Sequence, residues 1–329
     1  DNEYELSIRC QDKNGNANTA NFVFKFCVDK GPDTTPPLIV TTDLLNGMPI
    51  GYNQSSVELK VYVNEPLITR AGGCKWSKNN QAYENMENDM TCATSVTEFN
   101  AQMLYECSTT LTGLNDRVNN KFYFRCEDKA GNKNQESYDF SLMGTQPLII
   151  NWIKPNETIK DSTDAVKVVL EAHTSDGYKE GEAICYYSDT GSEGSYVEFF
   201  ETTSYQHSQD LYLPEGIYTY YIKCVDLGGN SDSKTTTFNV ESDSEAPVVV
   251  RAYHEETYLT LITDEPASCV YDTLNCNYPL EEGIAMTTVD ETKQYTDWST
   301  QITLYIKCKD DYGNQPLPNE CSIIVRGVD

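Results

Sequence analysis

The chain has 329 residues, of which 51 are acidic and 24 basic, and its formal net charge is −27. This length predicts two to four domains, and a mean hydropathy of −0.54 favours small soluble domains with thin cores over one large enzyme core. Nucleic acid and anionic lipid repel a polyanion, so neither is expected as a partner. No apolar run reaches the length of a membrane span, so no direct membrane insertion is expected.

The twelve cysteines lack the C-x2-C spacing of zinc and redox motifs, and they are scattered along the chain. This pattern predicts structural disulfides and therefore an oxidising, extracellular compartment. Asn53 and Asn156 begin glycosylation sequons, a short pattern that adds little by itself. The sequence begins Asp1-Asn2-Glu3, and any secretion signal or anchor is expected outside this segment.

The first predicted element along the chain recurs four times. It is an aromatic and β-branched strand followed by a basic residue, Cys-x-Asp-x-x-Gly-Asn and a second strand. Since Asp, Gly and Asn favour turns, each copy predicts a β-hairpin. The copies are Ile8-Arg9-Cys10-Gln11-Asp12 to Asn16, Phe124-Arg125-Cys126-Glu127-Asp128 to Asn132, Ile222-Lys223-Cys224-Val225-Asp226 to Asn230, and Ile306-Lys307-Cys308-Lys309-Asp310 to Asn314.

A second element, a cysteine followed two residues later by an aromatic, precedes three of these hairpins. It occurs at Cys74-Lys75-Trp76, Cys185-Tyr186-Tyr187 and Cys269-Val270-Tyr271. Prolines mark the junctions at 36–37, 147 and 247, each before an apolar strand, and proline suits an edge strand because it cannot donate to the ladder. We therefore divide the chain into repeat 1 (residues 1–33, the last two strands of a domain), repeat 2 (34–146, with an insertion), repeat 3 (147–246) and repeat 4 (247–329).

Short strands with turn signals in units of this size predict an all-β fold of tandem immunoglobulin-like or fibronectin-III-like sandwiches arranged as a rod. The Cys-x-aromatic strand, the hairpin motif and the Thr-x-Pro-Pro junction resemble the tandem Ig-like repeats of large prokaryotic, notably archaeal, surface proteins and adhesins. The resemblance covers nearly the whole chain. It implies an extracellular spacer or adhesion role and brings no catalytic residues. Repeat 3 departs from it, with Thr174-Ser175-Asp176-Gly177 where the others have Asn64-Glu65-Pro66 and Asp264-Glu265-Pro266.

In a sandwich of this kind, the two cysteine-bearing strands are antiparallel neighbours. This implies the pairs Cys74–Cys126, Cys185–Cys224 and Cys269–Cys308. The cysteines left in repeats 2 and 4 imply Cys92–Cys107 and Cys276–Cys321.

The disulfide partners of Cys10 and Cys27 in repeat 1 stay open. Two strands alone expose the apolar run Phe22, Val23, Phe24, Phe26 and Val28. Either repeat 1 completes a domain whose first strands lie upstream, where Cys10 would find its partner, or it inserts into an incomplete sandwich of a neighbouring molecule. Cys27 is the less favoured partner of Cys10.

No pattern indicates catalysis. The sequence has no P-loop, dinucleotide fingerprint, nucleophile elbow or haem motif. The three histidines fall at unrelated positions and are expected on the surface or in loops. The pairs Glu255-Glu256 and Glu281-Glu282 are expected in solvated faces and loops, with a glycosidase-like carboxylate pair as the less favoured alternative.

The acidic charge has two interpretations, solubility and divalent-cation sites. Oxygen-bearing side chains are predicted to converge at two junctions, which could hold Ca²⁺ and stiffen the rod. The alternative is that each Asp only forms its turn and the linker is hydrated. The candidate ligands are Asp33, Glu65 and Asp128 at one junction, and Asp243, Asp264, Glu265 and Asp310 at the other. Asp29, Asn64, Asn132, Glu245 and Asn314 lie beside them.

The sequence thus predicts a non-catalytic structural or adhesive rod at the cell surface, whose partners are other surface proteins, glycans or copies of itself. The alternatives are a subunit of a polymerised filament, or a glycan-binding accessory module of a secreted enzyme. The latter needs a planar cluster of aromatics, whereas Trp76, Trp152 and Trp298 fall in different contexts.

Overall fold

The computed structural model describes residues 2–28 and 31–327. Within these ranges the regular structure is β apart from three single-turn 3₁₀ helices. No helix there has the length and apolarity needed to cross a membrane. The chain divides into two compact units, residues 1–146 and 147–329. The finer boundaries between repeats 1 and 2 and between repeats 3 and 4 stay predictions.

The first unit begins with an antiparallel hairpin and continues with the strands of repeat 2. The hairpin is β1 (Asn2–Ile8) and β2 (Phe22–Val28). Repeat 2 contains β3 (Ile39–Thr42), β4 (Pro49–Ile50), β5 (Ser56–Val63), β6 (Ala71–Ser77), a 3₁₀ turn (Tyr83–Asn85), β7 (Asn88–Cys92), β8 (Tyr105–Thr112), β9 (Asn119–Cys126) and β10 (Tyr138–Gly144).

The insertion in repeat 2 changes the sandwich. Its strand β7 pairs with β6 on one side and β8 on the other. The two sheets are thereby joined into one eight-stranded sheet in the order β3-β5-β8-β7-β6-β9-β10-β4. Alternate residues of the strands point into one core, which includes Leu59, Val61, Phe122, Phe124 and Leu142.

The second unit begins with repeat 3, which forms two separate sheets around a second core. They are β11-β13-β16 and β12-β18-β17-β14-β15. The strands are β11 (Leu148–Lys154), β12 (Ile159–Asp161), β13 (Val166–Asp176), β14 (Ala183–Ser188), β15 (Val197–Glu198), β16 (Gln206–Leu213), β17 (Gly216–Asp226) and β18 (Ser231–Ser242), with a 3₁₀ turn at Lys179–Gly181.

Repeat 4 forms two four-stranded sheets around a third core, in the orders β19-β20-β24-β23 and β22-β21-β25-β26. The strands are β19 (Val249–Glu255), β20 (Tyr258–Thr263), β21 (Ala267–Asp272), β22 (Ile284–Ala285), β23 (Thr287–Thr288), β24 (Lys293–Asp297), β25 (Leu304–Asp310) and β26 (Ile323–Val325), with a 3₁₀ turn at Leu280–Glu282. The strands that follow the junction prolines, β3, β11 and β19, lie at sheet edges as predicted. The prediction of an all-β chain of tandem, disulfide-linked Ig-like sandwiches is confirmed.

Candidate metal centres

Disulfides hold the strands that carry the candidate site. Cys74 lies directly opposite Cys126 on β6 and β9, Cys185 opposite Cys224 on β14 and β17, and Cys269 opposite Cys308 on β21 and β25. These pairs are bonded, as are Cys92–Cys107 and Cys276–Cys321, so the structure contains the five pairs that the resemblance implies. Cys10 and Cys27 are exposed free thiols.

The turn after each cysteine is built around its aspartate. In repeat 2, the Oδ1 atom of Asp128 accepts hydrogen bonds from the backbone N–H groups of Ala130 and Asn132, each at 2.8 Å. Its Oδ2 atom accepts one bond, from Nδ2 of Asn132 at 2.7 Å. Because a carboxylate oxygen has two lone pairs, Oδ2 keeps one of them for another partner.

The linker from repeat 1 to repeat 2 is attached to this turn. Nδ2 of Asn132 also donates to the backbone carbonyl of Asp33, at 3.1 Å. Asn64 fixes the other side of the linker, because its Oδ1 atom accepts a hydrogen bond from the Leu38 backbone N–H at 2.7 Å. These contacts place the Asp33 side chain over the same end of the domain as the turn.

Three carboxylates meet at this point. One side-chain oxygen from each of Asp33, Glu65 and Asp128 lies within 4.8 Å of the other two. Oxygen ligands at 2.3–2.6 Å from a Ca²⁺ ion are separated from one another by up to about 5 Å. The spacing of the three oxygens therefore fits a single Ca²⁺ ion.

The second unit repeats the arrangement. Oxygens of Asp243, Glu265 and Asp310 again lie within 4.8 Å of one another. The linker is held in the same way, since Nδ2 of Asn314 donates to the backbone carbonyl of Asp243 at 2.7 Å and to Oδ2 of Asp310 at 2.8 Å. Two linkers of different sequence thus place three carboxylates in the same arrangement.

Within residues 2–28 and 31–327, neither cluster is neutralised by a basic side chain. Among the described residues, the ion pairs of the structure involve none of these six carboxylates. Burial, together with the charges of Asp33 and Asp128, raises the pKa of Glu65 above its ordinary value. Burial and the neighbouring acids, Asp243 first among them, likewise raise the pKa of Glu265. Both sites therefore favour a proton or a cation.

One predicted ligand lies outside these groups. Oδ1 of Asp264 accepts a hydrogen bond from the Val248 backbone N–H at 2.8 Å, so Asp264 holds the linker just as Asn64 does in repeat 2. The three-carboxylate group of the second unit contains Glu265 and not Asp264. Asp29 lies outside the described residues.

Repeat 3 shows the same turn without the cluster. Oδ1 of Asp226 accepts from the Asn230 backbone N–H, and Oδ2 accepts from both Nδ2 of Asn230 and the Tyr178 backbone N–H, each at 2.8 Å. Both lone pairs of that Oδ2 are therefore occupied. The segment Thr174–Gly177, which differs in sequence from the other repeats, explains why the cluster is missing. The backbone N–H of Tyr178, just after Gly177, takes the place that a glutamate has in the other repeats.

Two further groups of ligand-type atoms consist of cysteines, in one case together with a histidine. Cys74, Cys92 and Cys107 form one, and Cys185, Cys224 and His207 form the other. All five sulfurs are already in disulfides, so neither group is a metal site. The prediction that the histidines lie at the surface is wrong for His207, which is buried between the hydroxyls of Thr174 and Thr202 at 3.0 and 2.9 Å.

In repeats 2 and 4, the basic residue before the motif cysteine is buried and bonds backbone carbonyls, a role that the sequence analysis missed; the equivalent Lys223 of repeat 3 is exposed. Lys307 is buried, and its Nζ atom donates to the backbone carbonyls of Tyr278 and Pro318 at 2.9 and 2.6 Å. Arg125 donates to the carbonyl of Asn134 at 2.9 Å in the same position of repeat 2. The recurrence of a basic residue before the motif cysteine was the sequence signal from which this role could have been predicted. The sequon residues Asn53 and Asn156 are exposed.

No protein-family model matches the sequence, and no curated protein matches it. Among solved structures, a multidomain fragment of titin aligns with a TM-score of 0.40 and 11% identity, over 89% of this chain and 99% of that one. The FN1–FN3 domains of chicken CNTN1 align with a TM-score of 0.41 and 11% identity, over 88% and 98%. Immunoglobulin domains 1–5 of Sidekick-1 align at 0.40 and 10%, over 94% and 64%. Likenesses of this strength carry no information on function.

Proposed function

We propose that this chain is part of a non-catalytic, extracellular structural or adhesive rod at a cell surface, and that Ca²⁺ binds at two of its repeat junctions. The recurrence of the carboxylate cluster carries this proposal. In each unit, an aspartate of the linker meets a glutamate and an aspartate of the following repeat. Ion binding there would connect the linker to the next sandwich and restrict the angle between them.

The electrostatics of the clusters support a cation over simple hydration. Three carboxylates in such proximity repel one another, and burial makes the charged form of Glu65 and Glu265 less favourable still. A divalent cation bound between the three carboxylates replaces their mutual repulsion with attraction to the ion. The five disulfides support an oxidising compartment, where millimolar Ca²⁺ sites are common.

Calcium titration of the whole chain tests the proposal. We expect isothermal titration to show two sites, and melting temperature to rise between chelator and millimolar Ca²⁺. The stabilisation is about 2.7 kcal/mol per site when free Ca²⁺ is a hundredfold above the dissociation constant. Glu65→Gln should remove one site and Glu265→Gln the other. The exposed residues Glu136 and Glu193 provide matched Glu→Gln controls that should keep both sites.

The variants also distinguish a cation site from a packing contact. Without calcium, Glu65→Gln should stabilise the protein, because it removes repulsion. With calcium, the same change should be destabilising relative to the wild type, because it removes a ligand. Melting curves that are identical in chelator and in calcium would refute the cation proposal and leave solubility as the role of the charge.

A second candidate function is glycan binding by repeat 3. The exposed ring of Trp152 stacks on His173, whose ring contacts Tyr205 edge-on, with centroids 5.6 and 5.8 Å apart. A cavity of about 390 Å³ beside Trp152 is lined by Glu171 and Glu201, whose carboxylates can accept hydrogen bonds from sugar hydroxyls. Titration with neutral oligosaccharides should change tryptophan fluorescence in the wild type and not in Trp152→Ala. No change with any oligosaccharide would remove this candidate.

A further inference from the structure

The hairpin of repeat 1 has one apolar face and one polar face. Residues directly opposite each other in an antiparallel pair point to the same side. The register places three apolar pairs on one face, Tyr4 with Phe26, Leu6 with Phe24, and Ile8 with Phe22. The other face carries Glu5 and Lys25, which form an ion pair at 3.1 Å. A sheet with this division normally buries its apolar face against a second layer.

In repeat 1 that layer is missing from the described residues. Phe22 is 64% exposed, Leu6 53% and Phe24 51%. Two-stranded hairpins are marginal in water, and burial of large apolar side chains such as these is favourable. The apolar face is therefore a strong site of association.

Repeat 2 contains the same hairpin with the layer present. Aligned on the Cys-x-Asp-x-x-Gly-Asn motif, Leu6 corresponds to Phe122 and Phe24 to Phe140, which are 0% and 2% exposed. The local contacts are also the same. The Cys10 backbone N–H donates to Oδ1 of Asn18 at 2.7 Å, and that of Cys126 donates to Asn134 at 2.8 Å.

Cys10 has the position of a bonded cysteine. Cys126, Cys224 and Cys308 lie at or near the end of the equivalent strand, and they are bonded to the cysteines of β6, β14 and β21, respectively. Cys27 cannot replace that partner. It lies opposite Glu3, and the strand runs about 17 Å from Glu3 to Ile8 at 3.4 Å per residue, with Cys10 two residues beyond. A disulfide requires Cα atoms closer than about 7 Å.

We propose that the apolar face of β1 and β2 is completed by the first strands of an Ig-like sandwich that precede it in the same polypeptide, and that Cys10 bonds to a cysteine on the strand that corresponds to β6, β14 and β21. The order of the strands along the chain supports the view that the covering layer comes from the same polypeptide. In repeats 2, 3 and 4, the hairpin is preceded along the chain by the strands that cover it. A second copy offers no equivalent vacancy in its described residues, because each of those repeats already has its own hairpin.

The test supplies an upstream segment of known sequence. A copy of residues 34–120 is joined directly ahead of Glu5 in the otherwise intact chain, which places a copied Cys74 in the position of the missing partner. We expect loss of the free thiol at Cys10, a peptide that links Cys10 to the copied Cys74, and slower amide exchange in Phe22–Phe26. Phe24→Asp in the extended chain should abolish all three effects. A Cys10 thiol that stays reactive would contradict the proposal.

A second variant covers the case in which the extended chain misfolds. Residues 121–142 of the unextended chain are replaced by residues 5–26, a segment of equal length with the cysteine in the same place. Repeat 2 should keep its fold, with the transplanted cysteine bonded to Cys74. Failure of both chimaeras would show that the face does not complete an Ig-like sandwich. A dimer of the unmodified chain that Phe24→Asp dissociates would overturn the proposed source and favour association between copies.

Discussion

The side-chain amide of Asn314 donates a hydrogen bond to the backbone carbonyl of Asp243 at 2.7 Å, although 71 residues separate them. The equivalent bond joins Asn132 to Asp33 in the first unit at 3.1 Å. In each case the asparagine of the turn holds the linker aspartate beside the carboxylate cluster. The turn motif therefore positions the preceding linker as well as forming its own hairpin.

Removing this bond should loosen the linker. Asn314→Ala loses the donors to Asp243 and Asp310, and the backbone N–H bond to Asp310 remains. We expect a loss of about 1–3 kcal/mol in the stability of repeat 4 and faster proteolysis within residues 243–247. The exposed Asn319→Ala is the control. Equal cleavage rates in Asn314→Ala and the control would show that the bond does not hold the linker.

The glutamates should make stability depend on pH in the absence of calcium. Since the folded-state pKa of Glu65 and of Glu265 is raised, their protonated form is favoured in the fold. That contribution is fully present below the ordinary pKa, about 4.5, and is lost as pH rises through the raised value. In chelator, the advantage of the Glu65→Gln/Glu265→Gln double variant over the wild type should grow from pH 4 to pH 8. A pH-independent difference would contradict the raised pKa values.

His207 should give the opposite pH dependence, with stability that falls as the pH is lowered. Burial, with a smaller contribution from His173, lowers the pKa of His207 to about 4. Its neutral form is favoured in the fold, so this stability is present above the unfolded-state pKa of about 6.5 and is lost as pH falls towards 4. Unfolding by urea across this range should show a steeper acid dependence in the wild type than in His207→Gln. The exposed His254→Gln should keep the wild-type slope.

The disulfides of repeats 3 and 4 offer a matched comparison. Cys185–Cys224 and Cys269–Cys308 have the same sequence separation, 39 residues, so the chain-entropy contribution is about 4 kcal/mol for each. Replacing both cysteines by alanine should destabilise repeat 3 more than repeat 4, because Cys276–Cys321 still restricts the unfolded chain of repeat 4. Equal losses in urea unfolding would argue against this entropic account.

Lys307 should be a structural residue of repeat 4. Its ammonium group connects the loops that contain Tyr278 and Pro318, and burial lowers its pKa. Lys307→Met keeps the length of the side chain and removes both hydrogen bonds, so we expect a loss of about 1–3 kcal/mol. The exposed Lys309→Met should have little effect on the melting temperature. A wild-type melting temperature in Lys307→Met would show that the two bonds contribute nothing.

The hairpins, the edge strands and the convergence of acidic side chains at the junctions could be predicted from the sequence alone. These features are local or repeated, since Asp, Gly and Asn select their turn whatever surrounds them, and a proline excludes a central strand position. Asp33, Glu65 and Asp128 could be proposed together because the repeat places their segments at one end of a sandwich.

Which side chains occupy the sites could not be predicted from the sequence. Asp264 and Glu265 are adjacent and chemically alike in the sequence, yet the first holds a linker amide and the second joins the carboxylate cluster. The burial of His207 and Lys307 was likewise set by distant loops and strands that pack over them. The strand β7 joined two sheets into one because backbone donors and acceptors at both exposed edges could pair with it. Such choices depend on contacts between residues far apart in the chain, which no local pattern records.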